Sequence, residues 1–178
     1  MKPAYSINLK EIKNIAIKNE TRNKLLFNAL LNLDNETIDF LFHSNSSLIE
    51  KEIDCKLCGN CCSEIPTSFS ETESIYLSEQ FGLSKEIFLK TKTIPQADEF
   101  IFNTLPCPFL IDKKCTIYEN RPLTCQQYPN LKHTTMKNFL IGAFNNYHEC
   151  PIVFFVIENI FQEYFQGKIE KIEKIEIL

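Results

Sequence analysis

The chain has 178 residues, 44% apolar and 24% charged, which excludes wholesale disorder and suits one core, or one core with an appended helical arm. Lys and Arg number 19 against 23 Asp and Glu, and the resulting net charge of -4 speaks against a general nucleic-acid binder, which needs a basic face. Only four glycines occur, and no two lie close enough to cradle a phosphate, so a P-loop and a dinucleotide fingerprint are excluded. The unusual count is eight cysteines.

Residues 1–10 contain no apolar stretch of the kind a secretory signal needs. The longest apolar run, residues 152–157, is too short to cross a bilayer. A cytoplasmic location without a membrane partner is therefore expected. Thiols stay reduced there, which favours metal ligands or redox groups over a disulfide frame. An even count would also suit an oxidised protein, but the spacing described below weighs against it.

Residues 9–53 read as helical and carry no cysteine. Leu9, Ile12, Ile15 and Ala16 form one apolar stripe, and Leu26, Phe27, Leu30, Leu31 and Leu33 another. Asp34 or Asn35 can cap a third helix holding Ile38, Leu41 and Phe42, and Ser44-Asn45-Ser46-Ser47 reads as a break. Packing is the expected role of this arm, residues 1–54; binding of a protein partner is the other use open to it.

Residues 55–66 are cysteine-dense and irregular in pattern. Ser70-Glu71-Thr72-Glu73 fits a capping box for a helix with Ile75 and Tyr76 that ends near Gly82. Ser84 is a second cap, with Leu83 and Phe88 as a hydrophobic staple. Phe100-Ile101-Phe102 suggests a short strand. Phe109-Leu110-Ile111 and Cys115-Thr116-Ile117-Tyr118, separated by Asp112-Lys113-Lys114, suggest a hairpin. Pro122 suits the first turn of a short helix that carries Cys125 and stops before Pro129. Pro151 opens a helix with Val153, Val156, Ile157, Ile160, Phe161 and Tyr164 on one face and Gly167 as its stop. Residues 168–178 alternate charge with isoleucine, a pattern that fits a helix, an edge strand or a partner-binding tail. The expected architecture is mainly α with a small β-hairpin around an irregular cysteine-rich metal-binding centre. Its parts are a helical arm (1–54), a cysteine-cluster domain (55–150), and a C-terminal amphipathic helix and tail (151–178) packing on it.

The chemistry is concentrated in Cys55-x-x-Cys58-Gly59-Asn60-Cys61-Cys62, followed by Cys107, Cys115, Cys125 and Cys150. Two residues between cysteines let the chain turn so that both sulfurs face one ion, a spacing used by zinc knuckles and iron–sulfur loops alike. Gly59 fits a turn that needs positive φ. Adjacent side chains point in different directions, so one tetrahedral ion rarely takes both Cys61 and Cys62. They are expected to serve different ions or different edges of a cluster. Eight thiolates at four per site make two centres, with one four-cysteine centre plus other thiols as the alternative. Cys107 sits between Pro106 and Pro108, and Cys150 precedes Pro151 at a helix N-terminus, where the dipole favours a thiolate.

Cys55-x-x-Cys58-Gly59-x-Cys61-Cys62, Cys107-Pro108-Phe109-Leu110 and Cys115-x-Ile117-Tyr118-x-x-Arg121-Pro122-x-x-Cys125-x-x-Tyr128-Pro129 resemble the YkgJ-type cysteine-cluster family. The resemblance runs over about residues 55–150. It implies a zinc- or iron-chelating domain, often labelled an iron–sulfur protein. Gln126 stands where that family usually has Arg, and Lys114 where it usually has Gly before the cysteine. Flagellin lysine N-methylases carry a related domain, so the resemblance leaves an enzyme open as one reading.

Arg121 has an electrostatic reason to lie near a centre of negative thiolates, and a carboxylate partner at a helix start is its ordinary alternative. Tyr118 and Tyr128 can line a pocket or simply pack. His148 is an alternative ligand and His133 a weaker one, while His43 lies in the arm; all three read first as ordinary surface or packing residues, because eight cysteines already fill two sites. The favoured function is a metal-binding protein with cysteine-ligated iron–sulfur centres, or zinc in their place, and a redox role. The other two readings are an oxidoreductase or methyl-transfer enzyme and a zinc-stabilised interaction module.

Overall fold

The computed structural model describes residues 8–166, so the expectations for Gly167 and for residues 168–178 lie outside the described residues. What is described is mostly helical with two small antiparallel sheets. The chain divides into two compact units, one made of Met1–Asp54 with Pro129–Leu178 and the other of Cys55–Tyr128. No helix among the described residues is long and apolar enough to cross a membrane.

The first unit begins with α1 (Leu9–Lys18), α2 (Glu20–Leu31) and α3 (Asn35–Ile49). A capping box starts α1: the Asn8 side chain accepts from Glu11 N–H at 2.9 Å and the Glu11 carboxylate accepts from Asn8 N–H. The Asp34 side chain caps α3 through Thr37 N–H at 2.8 Å, and Ile38, Leu41 and Phe42 are buried. Ser44 to Ser47 do not break the helix. Ser44 Oγ donates to Phe40 O at 2.6 Å and Asn45 Nδ2 to Leu41 O at 2.9 Å. These polar side chains bond back onto the preceding turn, so they satisfy themselves without leaving the helix. Leu31, expected on the buried stripe of α2, is exposed, because the stripe that packs inward runs through Asn23, Leu26 and Leu30.

The second unit opens with two helical turns, α4 (Cys55–Cys58) and α5 (Asn60–Glu64), hinged at Gly59. Then come β1 (Ser68–Phe69), α6 (Glu71–Gln80), α7 (Lys85–Lys92), β2 (Thr93–Gln96) and β3 (Glu99–Phe102). The capping box at Ser70 and Glu73 and the cap at Ser84 are both present, and Gly82 follows α6 with φ +64. The three strands form one antiparallel sheet in the order β1-β3-β2. Both edges escape a reading of the sequence: β1 has two residues, and β2 contains Pro95, which cannot donate to a ladder and belongs on an edge. The hairpin is β4 (Leu110–Ile111) with β5 (Lys114–Cys115). Its turn is Asp112-Lys113, at φ +49 and +63, so Lys114 already belongs to the strand and needs no glycine. Thr116 to Tyr118 leave the ladder, and residues Tyr118–Asn120 form a 3₁₀ turn before α8 (Leu123–Gln127). The core is Phe69, Leu77, Phe88, Phe102, Phe109 and Ile117, with the Phe69 and Phe102 rings 4.8 Å apart.

The chain then returns to the first unit. Asp39 of α3 accepts from Thr135 N–H at 2.9 Å and Met136 N–H at 2.7 Å, which anchors a 3₁₀ turn over Met136–Phe139. α9 (Leu140–Asn145) follows, and α10 (Pro151–Ile160) packs on α3 with Ile152, Val153, Phe154, Val156, Ile157 and Ile160 buried. Residues Phe161–Phe165 continue α10 as a π-helical turn. The wider turn shifts the phase of the face, which leaves Tyr164 exposed although the periodicity predicts it inside.

Candidate metal centre

Six of the eight candidate cysteines line one cavity of about 180 Å³ in the second unit: Cys55, Cys61, Cys62, Cys107, Cys115 and Cys125. Three local structures bring them there. The first is the break at Gly59, whose φ of +66 turns the chain between α4 and α5 so that Cys61 and Cys62 face inward. The second is the β4–β5 hairpin, which carries Cys115 and is followed by Ile117 and Tyr118 on the cavity wall. The third is α8, which carries Cys125.

Backbone bonds lock these pieces together. Cys107 N–H donates to Cys62 O at 2.7 Å, which ties the Pro-Cys-Pro segment to α5. Thr124 Oγ1 donates to Ser68 O at 2.5 Å, and Leu123 N–H donates to Glu73 Oε1 at 2.7 Å. Glu73 thereby caps α6 and α8 at once. Cys125 Sγ donates to Thr67 Oγ1 at 3.7 Å, a partner that nothing in the sequence pattern marks. Ile65, Phe102, Phe109 and Ile117 supply an apolar wall.

The remaining two candidates stand elsewhere. Cys58 ends α4 in the same unit but does not line the cavity. Cys150 belongs to the first unit, buried as the residue before α10. All eight cysteines stand as thiols rather than cystines. Among the described residues, no three Cys, His, Asp or Glu side chains already sit at the spacing that would hold an ion. The cavity therefore presents a donor set and not a closed coordination shell. That set is all sulfur, which both zinc and iron accept, and its apolar wall is the shell such sites use to limit water.

The thiols differ in acidity. A hydrogen bond from Cys61 lowers Cys62 to about 7; burial opposes this, and its own backbone N–H and the Arg121 charge add to the lowering. Burial pushes Cys107 up to about 11, and burial also raises Cys115 and Cys125. Cys62 is thus closer to the thiolate form near neutral pH than Cys107, Cys115 or Cys125, and an ion entering the cavity would displace protons from those three.

Arg121 and both tyrosines line the same cavity. The Arg121 guanidinium lies over the Tyr118 ring at 3.8 Å, donates to Tyr118 O at 2.7 Å and reaches Cys125 O at 3.4 Å. Gln126 Nε2 donates to Arg121 O at 2.7 Å and so braces the Arg121 backbone. No histidine lines the cavity. His148 pairs with Glu149 at 3.2 Å, and His43 Nε2 meets His133 O at 2.9 Å while the His133 ring stacks on Phe139. A larger hollow of about 800 Å³, in the first unit, is lined by residues such as Ile17, Phe27, Ile141 and Phe144 and contains no cysteine. Size therefore does not mark the candidate site here; chemistry does.

Neither a curated protein nor a solved structure matches the chain. A family model does match, over residues 54–145, just over half of the chain, and its description is "CxxCxxCC: putative zinc- or iron-chelating domain". The matched span contains all six cavity cysteines, Cys58, and the Tyr118–Arg121 clamp, and the chain belongs to this family of zinc- or iron-chelating domains.

Proposed function

We propose that residues 55–128 form a thiolate centre for a polynuclear metal group, an iron–sulfur cluster in preference to zinc, working in a reducing compartment. The observation that carries this reading is the gathering of six thiols on one cavity within a single unit. Cys61 and Cys62 are neighbours in the chain and both line it, which suits different edges of a cluster better than one tetrahedral ion. Six thiols exceed the four that one cluster or ion takes, so two of them are left for exchange or for entry of the metal.

An iron–sulfur cluster would supply one-electron transfer, and zinc would supply a fixed cross-link of the fold. The protein's part is to hold the sulfurs. The Cys107-to-Cys62 backbone bond fixes the spacing of two candidates, and the aromatic and aliphatic wall keeps water from competing.

The test is anaerobic purification of the full chain, followed by iron, sulfide and zinc analysis and an absorption spectrum. A brown protein absorbing near ~400 nm with iron and sulfide supports the cluster. A colourless protein with stoichiometric zinc replaces it with zinc, and a protein that takes up neither metal removes the centre altogether.

A further inference from the structure

Arg121 is held in an unusual way for an arginine on a cavity wall. Its guanidinium lies 3.8 Å over the Tyr118 ring, and two of its nitrogens point at backbone carbonyls of Tyr118 and Cys125. Tyr118 also faces Lys56, whose Nζ lies 4.8 Å from the ring centre and bonds to Glu119 at 3.0 Å. The ring and the carbonyls share the guanidinium without a net negative charge of their own, so its positive charge is not cancelled by these contacts. Lys113 lies on the same cavity. The cavity thus combines several thiols with a cation that is anchored and not free to swing away.

We propose that Arg121 is the charge-compensating residue of the thiol cavity, which makes the cavity admit anionic species in preference to neutral ones and offsets the negative charge that thiolate ligation builds up. The inference rests on the reading of the cavity as a thiolate centre. It adds a role for a residue that donates no ligand atom: Arg121 acts through the field it sets in the cavity that it lines together with Cys62, Cys115 and Cys125, and is a positioning residue.

The test uses the full chain, reduced and stripped of metal, so its outcome does not depend on which metal binds. Iodoacetate, an anion, and iodoacetamide, its neutral counterpart, alkylate the same sulfurs. Mass spectrometry reads the rate at each cysteine, with Cys58, outside the cavity, as the internal reference. At low salt the iodoacetate-to-iodoacetamide ratio at Cys62, Cys115 and Cys125, relative to Cys58, is expected to be higher in the wild type than in Arg121→Gln by a factor of about 3 to 10. Arg121→Lys, which keeps the charge but loses the planar fork, is expected to recover at least half of that preference. In the wild type the ratio is expected to fall toward that of Cys58 at 1 M salt, where the screening length is about 3 Å. An unchanged ratio in Arg121→Gln overturns the proposal, and so does equal loss in Arg121→Lys and Arg121→Gln. The salt series needs no variant, so a wild-type ratio indifferent to salt overturns it even if the variants fail to fold. A wild type that binds no metal but shows the salt-sensitive preference refutes the metal centre and leaves the role of Arg121 standing.

Discussion

A Cβ placed on Gly59 would lie 2.9 Å from the backbone oxygen of Lys113 and 3.2 Å from Leu110 Cδ1. The hinge of the first cysteine segment is therefore pressed against the turn of the hairpin that carries Cys115. Gly59→Ala meets both a backbone wall and a φ of +66, and is expected to cost about 2 kcal/mol or more. Gly82, also at positive φ but with nothing within 4 Å, is the control; Gly82→Ala is expected to cost about 1 kcal/mol. Urea titrations of the two variants check the difference, and only Gly59→Ala is expected to lower metal content.

The cysteines divide into those that face the cavity and those that do not. Cys62→Ser is expected to lose most of the bound metal in anaerobic preparations. Cys150→Ser, altered in the other unit, is expected to retain it, as is Cys58→Ser. Equal metal loss in all three variants would support the two-centre arrangement that uses all eight thiols.

Glu73 accepts from Ser70 N–H at 2.8 Å and from Leu123 N–H at 2.7 Å. Burial resists its ionisation, but these N–H groups and the Ser70 hydroxyl outweigh it and hold the carboxyl below its ordinary 4.5. A carboxyl lowered in the fold stabilises above that ordinary value. The contribution is lost as the pH falls from 4.5 through the lower value of the folded state. Glu73→Ala is expected to cost about 1–2 kcal/mol at pH 7. Acid unfolding monitored by circular dichroism is expected to show a shallower pH dependence in the variant.

In the first unit Arg22 Nη1 donates to Glu158 Oε2 at 3.0 Å, while Arg22 Nη2 and the Tyr147 hydroxyl both donate to Glu158 Oε1. The side chains of Arg22 and Glu158 are only 15% and 17% exposed, so removing one charge strands the other out of water. Glu158→Ala is expected to cost about 3 kcal/mol or more, and the double variant Arg22→Leu/Glu158→Leu to cost less than Glu158→Ala alone. Burial, followed by the bond to Glu158, pushes the Tyr147 hydroxyl up to about 12 from 10. The neutral phenol thus stabilises the fold below pH 10, and this is lost as the pH rises from 10 to about 12. The amount is on the order of 2–3 kcal/mol. Tyr147→Phe is expected to flatten the alkaline limb of a stability-against-pH curve.

What could be read from the sequence were features written in a few adjacent residues. Ser70-x-x-Glu73, Ser84 and Asp34 each announce themselves by local chemistry, the hairpin is legible although its turn is Asp112-Lys113 without Lys114, and the cysteine spacing announces the chelating family. The polar run of residues 44–47 misleads because its side chains are satisfied inside the turn they occupy. β1 and β2 are hidden because they depend on β3 for their pairing and have too few residues to show a period. Which six cysteines line the cavity, the bond from Cys125 to Thr67 and the seat of Arg121 on Tyr118 all arise from convergence of separate segments, which spacing does not encode.

The thiol unit is inserted within the helical one: the chain leaves α3, passes through residues 55–128 and only then supplies α10, the partner on which α3 packs. During synthesis every cavity cysteine is joined to the chain before Pro151 is. All six cavity cysteines therefore precede, in the chain, the segment that covers α3, so the thiol unit has its whole sequence before the helical unit has its own.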